Sequence, residues 1–273
     1  MKTDIAFGQY CEGDSILHRL DPRAKLIISI LYITAVFLSK SVISFALLTA
    51  ATGALVAMSG ISPRIVLRGL RPILFIVLFT AVINIFWFNG ETPLVDFWVI
   101  HIYLEGIWNA LLIILRIVLL LISTGMFLTY TTTPLSLTDG MEQLLAPLAK
   151  LKIPVHDFSM MMTIALRFIP TLMEETEKIM NAQKARGADF SSGGLIKRAK
   201  ALLPVVIPLF ASAFRRAENL AAAMECRCYA GGEGRTRMNV LHAHPRDYLF
   251  ALGVIALGAA VVLINIYAPG YTL

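Results

Sequence analysis

Apolar and polar positions divide the chain into long apolar runs joined by short charged turns, with one extended exception. The runs cover 24–39 (AKLIISILYITAVFLS), 41–60, 72–88, 107–130 and 247–268. With its flanks, each comes close to the roughly 17–25 residues that a helix needs to cross a bilayer. About five transmembrane helices are therefore expected. The exception is 131–246, where apolar stretches give way to charged, alanine-rich ones. Its opening MEQLLAPLAKLKIP (141–154) reads as a short amphipathic helix with Leu144, Leu145, Leu148 and Leu151 on one side. Thr138 or Asp139 can cap its start, and Pro154 follows its end. Residues 155–187 read as one long helix, apolar then polar, with Pro170 near the junction and Gly187 as a left-handed C-cap. The pattern returns in 195–232, where Pro204 and Pro208 interrupt the apolar half and the polar half runs to Gly231–Gly232. The apolar halves are expected in or against the membrane and the polar halves along its surface. The fold class is an all-α polytopic membrane protein with about five transmembrane helices plus long kinked helices outside the spans. Three regions follow: 1–130 with four spans, 131–246 with the long kinked helices, and 247–273 with the last span and tail.

Composition agrees, since 57% of the residues are hydrophobic and only 15% charged, with a mean hydropathy of +0.72. A soluble domain of 273 residues needs more charge to cover its surface. The first apolar run begins behind a polar head containing Asp4, Glu12, Asp14 and Asp21, with no short apolar region and cleavage site of the secretory kind, so it reads as a retained anchor.

Charge sets the orientation. Of the 24 Lys and Arg residues, 15 fall in 131–246, and Arg64, Arg68 and Arg71 lie between the second and third runs. The loop 89–105 carries Glu91, Asp96 and Glu105 and no basic residue; the other outer loop is a turn with Lys40. The positive-inside rule places the N-terminus in the cytoplasm and the C-terminus outside. Trp87, Trp98 and Trp108 all fall at or near the acidic loop, where amphipathic rings favour the interface. The net charge of +6 thus points to lipid headgroups or an acidic partner and not to nucleic acid.

Chemistry-bearing clusters are few. Cys226, Cys228, His242 and His244 form C-x-C and H-x-H pairs that miss the usual zinc spacing, so no metal site is expected. The five histidines lie in loops or helix starts, no H-E-x-x-H occurs, and acids are nearly absent from the spans, so no catalytic residues are assigned. No G-x-x-x-x-G-K-[ST] loop is present, so the chain cannot cradle ATP in the P-loop manner and is expected to be a non-enzyme without cofactor of its own. Arg116, near the middle of the fourth run, is a functional candidate because a charge there is expensive. It either snorkels or pairs with a polar group of a partner. Gly53 with Ala57, and Ala256 with Ala260, suggest close helix packing.

Both long helices finish on an arginine, Ala185-Arg186-Gly187 and Cys226-Arg227-Cys228. Glu177 and Glu218 each lie nine residues before that arginine, Ala182 and Ala223 four before. Two readings stay open. An arginine in the last turn can bond the free carbonyls and complement the helix dipole. Alternatively, its planar fork can pair with a partner's carboxylate, with small neighbours letting backbones approach. Eight of eleven methionines lie between 141 and 238, including Met160, Met161 and Met162, which suits helix packing or an adaptable partner surface.

AQKARGADF together with AAAMECRCYAGGEGRTR resembles the paired Ala-Arg-Gly motifs of the transmembrane T component of energy-coupling factor (ECF) transporters. GDSILHRLDPRAKLI (13–27) resembles that family's entry into its first span. The resemblance implies a bacterial cytoplasmic-membrane scaffold of a vitamin or metal-ion importer. Its partners would be two ABC-type ATPase subunits, which bind the ATP, and a separate, exchangeable membrane subunit that binds the substrate. By resemblance Arg186 and Arg227 dock in grooves of the two ATPases. The second motif departs from the family by placing cysteines where small residues are expected. The alternative is a self-contained secondary transporter or channel, for which broken helices and midplane charges would speak.

Overall fold

The computed structural model describes residues 10–87, 93–97, 100–151, 154–190, 192, 194–231 and 241–267. Asp4, Glu91, Trp98, Lys152, Gly232, Arg235, Arg237 and Met238 lie outside them. The described chain is almost wholly helical: α1 (Pro22–Leu38), α2 (Val42–Ser59), α3 (Pro63–Trp87), α4 (Leu104–Thr124) continuing as a π-helical turn (Gly125–Tyr130), α5 (Pro134–Leu145) continuing as a 3₁₀ turn (Ala146–Leu151), α6 (Val155–Ala185), α7 (Leu195–Cys226) and α8 (Pro245–Tyr267). The acidic loop contains a short antiparallel hairpin, β1 (Pro93–Phe97) and β2 (Ile100–Tyr103), with Asp96 opposite His101. Val95, Ile100 and Ile102 are β-branched, which suits a pleated strand and explains why this loop is not irregular.

Four helical stretches are long and apolar enough to cross a membrane: 42–59, 63–86, 104–130 and 245–267. The first of the five expected spans, α1, has 17 residues and is about 25 Å long, short of the ~30 Å hydrocarbon core. It is pinned to α8 at both ends. At one end Asp21 caps α1, accepting from the Arg23 amide at 2.9 Å, with Pro22 in the first position, where its missing N–H costs nothing. Asp247 accepts from the Asp21 amide at 3.1 Å and from the His244 amide at 2.7 Å, so a single buried carboxylate serves the starts of α1 and α8. Nearby, the buried Lys25 ammonium donates to Thr131 O at 2.7 Å and Thr132 Oγ1 at 3.1 Å, tying α1 to the segment after the π-helical turn. At the other end Asn265 Nδ2 donates to Leu38 O at 2.7 Å, while its Oδ1 accepts from the Lys40 and Ser41 amides and from Ser44 Oγ.

Residues 1–143 and 241–273 form one compact unit, and 144–240 a second. The core of the first gathers Ile28, Tyr32 and Val36 of α1, Phe45 and Leu48 of α2, Leu112 and Leu119 of α4, Met126 and Phe127 of the π-helical turn, and Val254 and Val261 of α8. Tyr32 crosses from α1 to α2, its hydroxyl donating to Leu48 O at 3.0 Å and lying 2.6 Å from Thr52 Oγ1. Apolar residues also cover the outside. Phe75, Leu78 and Phe79 of α3 and Leu249, Leu252 and Ile266 of α8 are exposed, the inverted surface of a chain solvated by lipid.

Three local expectations change. The helix expected from 141 starts at Pro134, because Thr133 is the effective cap: its Oγ1 accepts from the Ser136 amide at 3.3 Å. Thr138 and Asp139 are therefore helix-interior, and the tighter 3₁₀ turn begins at Ala146, beside Pro147. Gly53, Ala57 and Ala256 are exposed, while Ala260 is half-buried; a Cβ on Gly53 would meet nothing within 4 Å. Close approach of α8 to α1 occurs instead at Gly258, where a Cβ would lie 3.9 Å from Ala35 Cβ. Finally, α7 ends at Cys226, ahead of Gly231–Gly232, because the chain turns left-handed at Cys228.

Candidate functional site: two matched helix ends

The second unit carries α6 and α7, and their termini are built alike. At the end of α6 the Gly187 amide donates to Lys184 O at 3.0 Å and the Ala188 amide to Gln183 O at 3.0 Å. At the end of α7 the Cys228 amide donates to Glu225 O at 2.8 Å and the Tyr229 amide to Met224 O at 3.0 Å. Both are Schellman closures, in which the first two residues past the cap bond back to the last turn. In each, the cap residue is the arginine, Arg186 at φ −85° and Arg227 at φ −95°. The next residue is left-handed, Gly187 at φ +89° and Cys228 at φ +55°. Cys228 is the one non-glycine with positive φ among the described residues. The two cysteines of the second motif thus leave its backbone path equivalent to the first.

This geometry separates the two readings of the arginines. The orphan carbonyls of each helix are satisfied by backbone amides. Among the described residues neither guanidinium has a hydrogen-bond or ion-pair partner, and both side chains are exposed. Their five N–H donors apiece point to solvent, so the side chains do no capping here. Ala185, Gly187, Cys226 and Cys228 are exposed beside them, and a Cβ at Gly187 would meet nothing within 4 Å.

Among the contacts that set α6 against α7, three fix their relative direction. Tyr229 Oη donates to Met160 Sδ at 3.1 Å, Arg216 pairs with Glu175, and Gln183 Nε2 donates to Pro204 O at 3.4 Å. Moving up α6 from 160 to 183 means moving down the other strand from 229 to 204, so the helices are antiparallel. The end of α7 therefore lies by the start of α6, and the two arginines sit at opposite ends of the pair. Twenty-six residues from Met160 to Arg186 correspond to about 40 Å of helix. A hydrogen bond from Ser212 and the charge of Arg216 hold the Glu175 carboxyl below the usual carboxylate range, which keeps the middle contact ionic further into acid. None of these three contacts was anticipated from the sequence; the glutamates noticed there were Glu177 and Glu218.

The methionine run divides by helix angle. Met160 turns toward Tyr229, whereas Met161 and Met162 are exposed, as consecutive helix positions require. On α7, Leu203, Ile207, Phe210 and Phe214 are exposed at i, i+4, i+7 and i+11 and form one apolar stripe. Arg116 belongs to the first unit. Its Nη2 donates to Ser39 O at 2.7 Å and its guanidinium lies 5.4 Å from the Phe45 ring centre. The charge in the fourth span thus serves the C-terminal carbonyls of α1, where a cation is favoured. The pairing is with a backbone carbonyl and needs no acidic residue in the other spans.

A family model described as cobalt transport protein (CbiQ) matches residues 13–238. Among curated proteins, the energy-coupling factor transporter transmembrane protein EcfT of Ruminiclostridium cellulolyticum is 54% identical over 249 residues, covering 91% of this chain and 92% of that one. The chain belongs to the family of transmembrane T components of ECF transporters. The proteins of the same name from Clostridium kluyveri and Bacillus subtilis are 48% and 46% identical, over 98% and 97% of this chain and 99% and 100% of theirs. A T component is the transmembrane part of a transporter, in keeping with the long apolar helices of the first unit.

Proposed function

We propose that this chain is the scaffold of an ECF-type importer of a vitamin or metal ion. In this reading it couples ATP hydrolysis by two cytoplasmic ABC-type ATPase subunits to movement of a separate substrate-binding membrane subunit. The observation that carries it is the pair of matched, unpartnered arginines at opposite ends of an antiparallel helix pair. Two sites about 40 Å apart suit two partners, one per end, better than a single groove. Each arginine would dock by bidentate pairing with a carboxylate, its cap holding the side chain clear of the helix. ATP stays with the partners, and this chain holds no cofactor. The exposed stripe on α7, with Met161 and Met162 of α6, offers an apolar, adaptable surface for an exchangeable substrate-binding subunit. Residues 131–246 would face the cytoplasm as the coupling region, between the four-span region 1–130 and the last span in 247–273. The N-terminus lies inside and the C-terminus outside. The membrane is the bacterial cytoplasmic one.

The test is isolation of tagged protein in mild detergent, comparing wild type with Arg186→Ala, Arg227→Ala and the double variant. Truncating one partner of a desolvated charge pair costs about 2–5 kcal/mol. Each single variant should lose one ATPase and the double variant both, with transport abolished. Two ATPases retained on the double variant would remove the arginines from docking. Absence of any ATPase from wild type would put the self-contained transporter in front.

A further inference from the structure

Two adjoining cavities open beside the N-terminal half of α3. The inner one, about 210 Å³, lies between α3 and α4, with Val66, Leu70 and Ile73 on one side and Leu121 and Ile122 on the other. The outer one, about 280 Å³, has Tyr10, Ile65 and Arg68 among its walls. Gly69 lines both, so a residue without a side chain stands where they meet. The π-helical turn closes the inner cavity through Gly125 and Tyr130. Such turns widen a helix locally and recur at functional sites.

A row of cations runs along α3 beside this opening. Arg64, Arg68 and Arg71 follow the i, i+4, i+7 spacing that puts them on one face of α3. All three are exposed, and among the described residues none has an ion-pair or hydrogen-bond partner. From Pro22 to Gly90 the sequence contains no Asp or Glu, so no acid shares α3 or its neighbouring turns with them. They also stand in the first turns of a helix long and apolar enough to cross a membrane, the end at which headgroups would be met.

We propose that this groove is a binding site for one anionic glycerophospholipid. The phosphate rests on Arg68, with Arg64 and Arg71 adding to its field. One acyl chain passes Gly69 into the cavity between α3 and α4. Three cations on one helix face, without an ion-pair partner among the described residues, favour an anionic headgroup over a zwitterionic one. A free phosphate would satisfy the arginines alone and leave the inner cavity, walled mainly by aliphatic side chains, without an occupant. A lipid accounts for both.

The test is native mass spectrometry of the full chain, with the subunits that co-isolate, titrated with phosphatidylglycerol and phosphatidylcholine of identical acyl chains. Wild type should retain phosphatidylglycerol in preference, and Arg68→Gln should lower that retention about fivefold, as removing one basic residue at the lipid surface predicts. Gly69→Leu fills the junction and leaves the charge unchanged. It also puts a better helix former in a helix, so folding is not its weakness. It should lower retention at least as much. Equal retention of the two lipids by wild type would overturn the proposal. So would a loss with Arg68→Gln that Gly69→Leu does not share, which would mean surface charge and no chain site. Displacement by glycerol phosphate would assign the site to a soluble phosphate. Lipid binding confined to chains stripped of their partners would assign the groove to a protein interface. Either would also overturn it.

Discussion

Gly187 and Cys228 occupy the same position in two matched caps, so exchanging their chemistry tests whether the caps set the helix ends. A residue with a Cβ costs roughly 1–2 kcal/mol in the left-handed region. Glycine avoids that cost but loses more backbone freedom on folding, which offsets about 0.4–1 kcal/mol. The difference leaves about 0.5–1 kcal/mol, with opposite sign at the two sites. Gly187→Ala should loosen the end of α6, and Cys228→Gly should tighten the end of α7. Sterics do not confuse the comparison at Gly187, where a new Cβ meets nothing within 4 Å. At α7 the side chain removed is exposed. The assay is amide hydrogen exchange at Ala188 and Tyr229, whose amides close the two motifs by bonding Gln183 O and Met224 O. Protection should fall two- to fivefold at Ala188 and rise by a similar factor at Tyr229, the factors that about 0.5–1 kcal/mol imply. Arg227 keeps its cap position in Cys228→Gly, so ATPase capture should persist. If Cys228→Gly lowers protection at Tyr229, or both substitutions move exchange in the same direction, the left-handed residue does not fix these ends and the argument from matched caps fails.

Two further outcomes follow from the same geometry. Arg116→Met keeps most of the side-chain volume but leaves the Ser39 carbonyl without its donor, and should destabilise the first unit by about 2–3 kcal/mol, a charged hydrogen bond plus its desolvated acceptor; thermal unfolding in detergent no lower than wild type would dismiss the capping role. Glu175 has its carboxyl pKa depressed by Ser212 and Arg216, so the α6–α7 contact contributes fully above the usual carboxylate range and is lost as pH falls through the depressed value. Hydrogen exchange along α6 should accelerate on acidification in wild type, and Glu175→Gln should remove that dependence; an unchanged acid profile in Glu175→Gln would rule out this pair as its source.

The fold class was legible because lipid imposes a coarse rule. Backbone groups in hydrocarbon must be satisfied within the segment, so long apolar runs become helices wherever they occur. The arginine ends were legible for a local reason, since Arg186-Gly187 is a cap signal in its own right. The same reasoning placed the end of α7 at Gly231–Gly232, because nothing in a Cys-Arg-Cys run announces a left-handed turn. That turn is selected by how the amides of Cys228 and Tyr229 find carbonyls at Glu225 and Met224, which is conformational detail and not composition. Likewise Thr138 and Asp139 have the chemistry of caps, yet Thr133 before Pro134 takes the role.

By itself, then, the chain determined that this is a polytopic helical membrane protein, through its apolar runs, and that its two longest polar helices finish near Arg186 and Arg227, through their cap motifs; several helix bounds moved by more than a turn. Tertiary structure alone decided that those helices run antiparallel, so that Arg186 and Arg227 end up far apart, and that both guanidinium groups are left without partners among the described residues. It also decided that Arg116 serves the end of α1. The physical reason is range. Periodicity and capping act within a few residues and are written in neighbouring letters. By contrast, Tyr229 on Met160, Arg216 on Glu175 and Arg116 on Ser39 join residues 41 to 77 positions apart, and only the folded chain brings them within bonding distance.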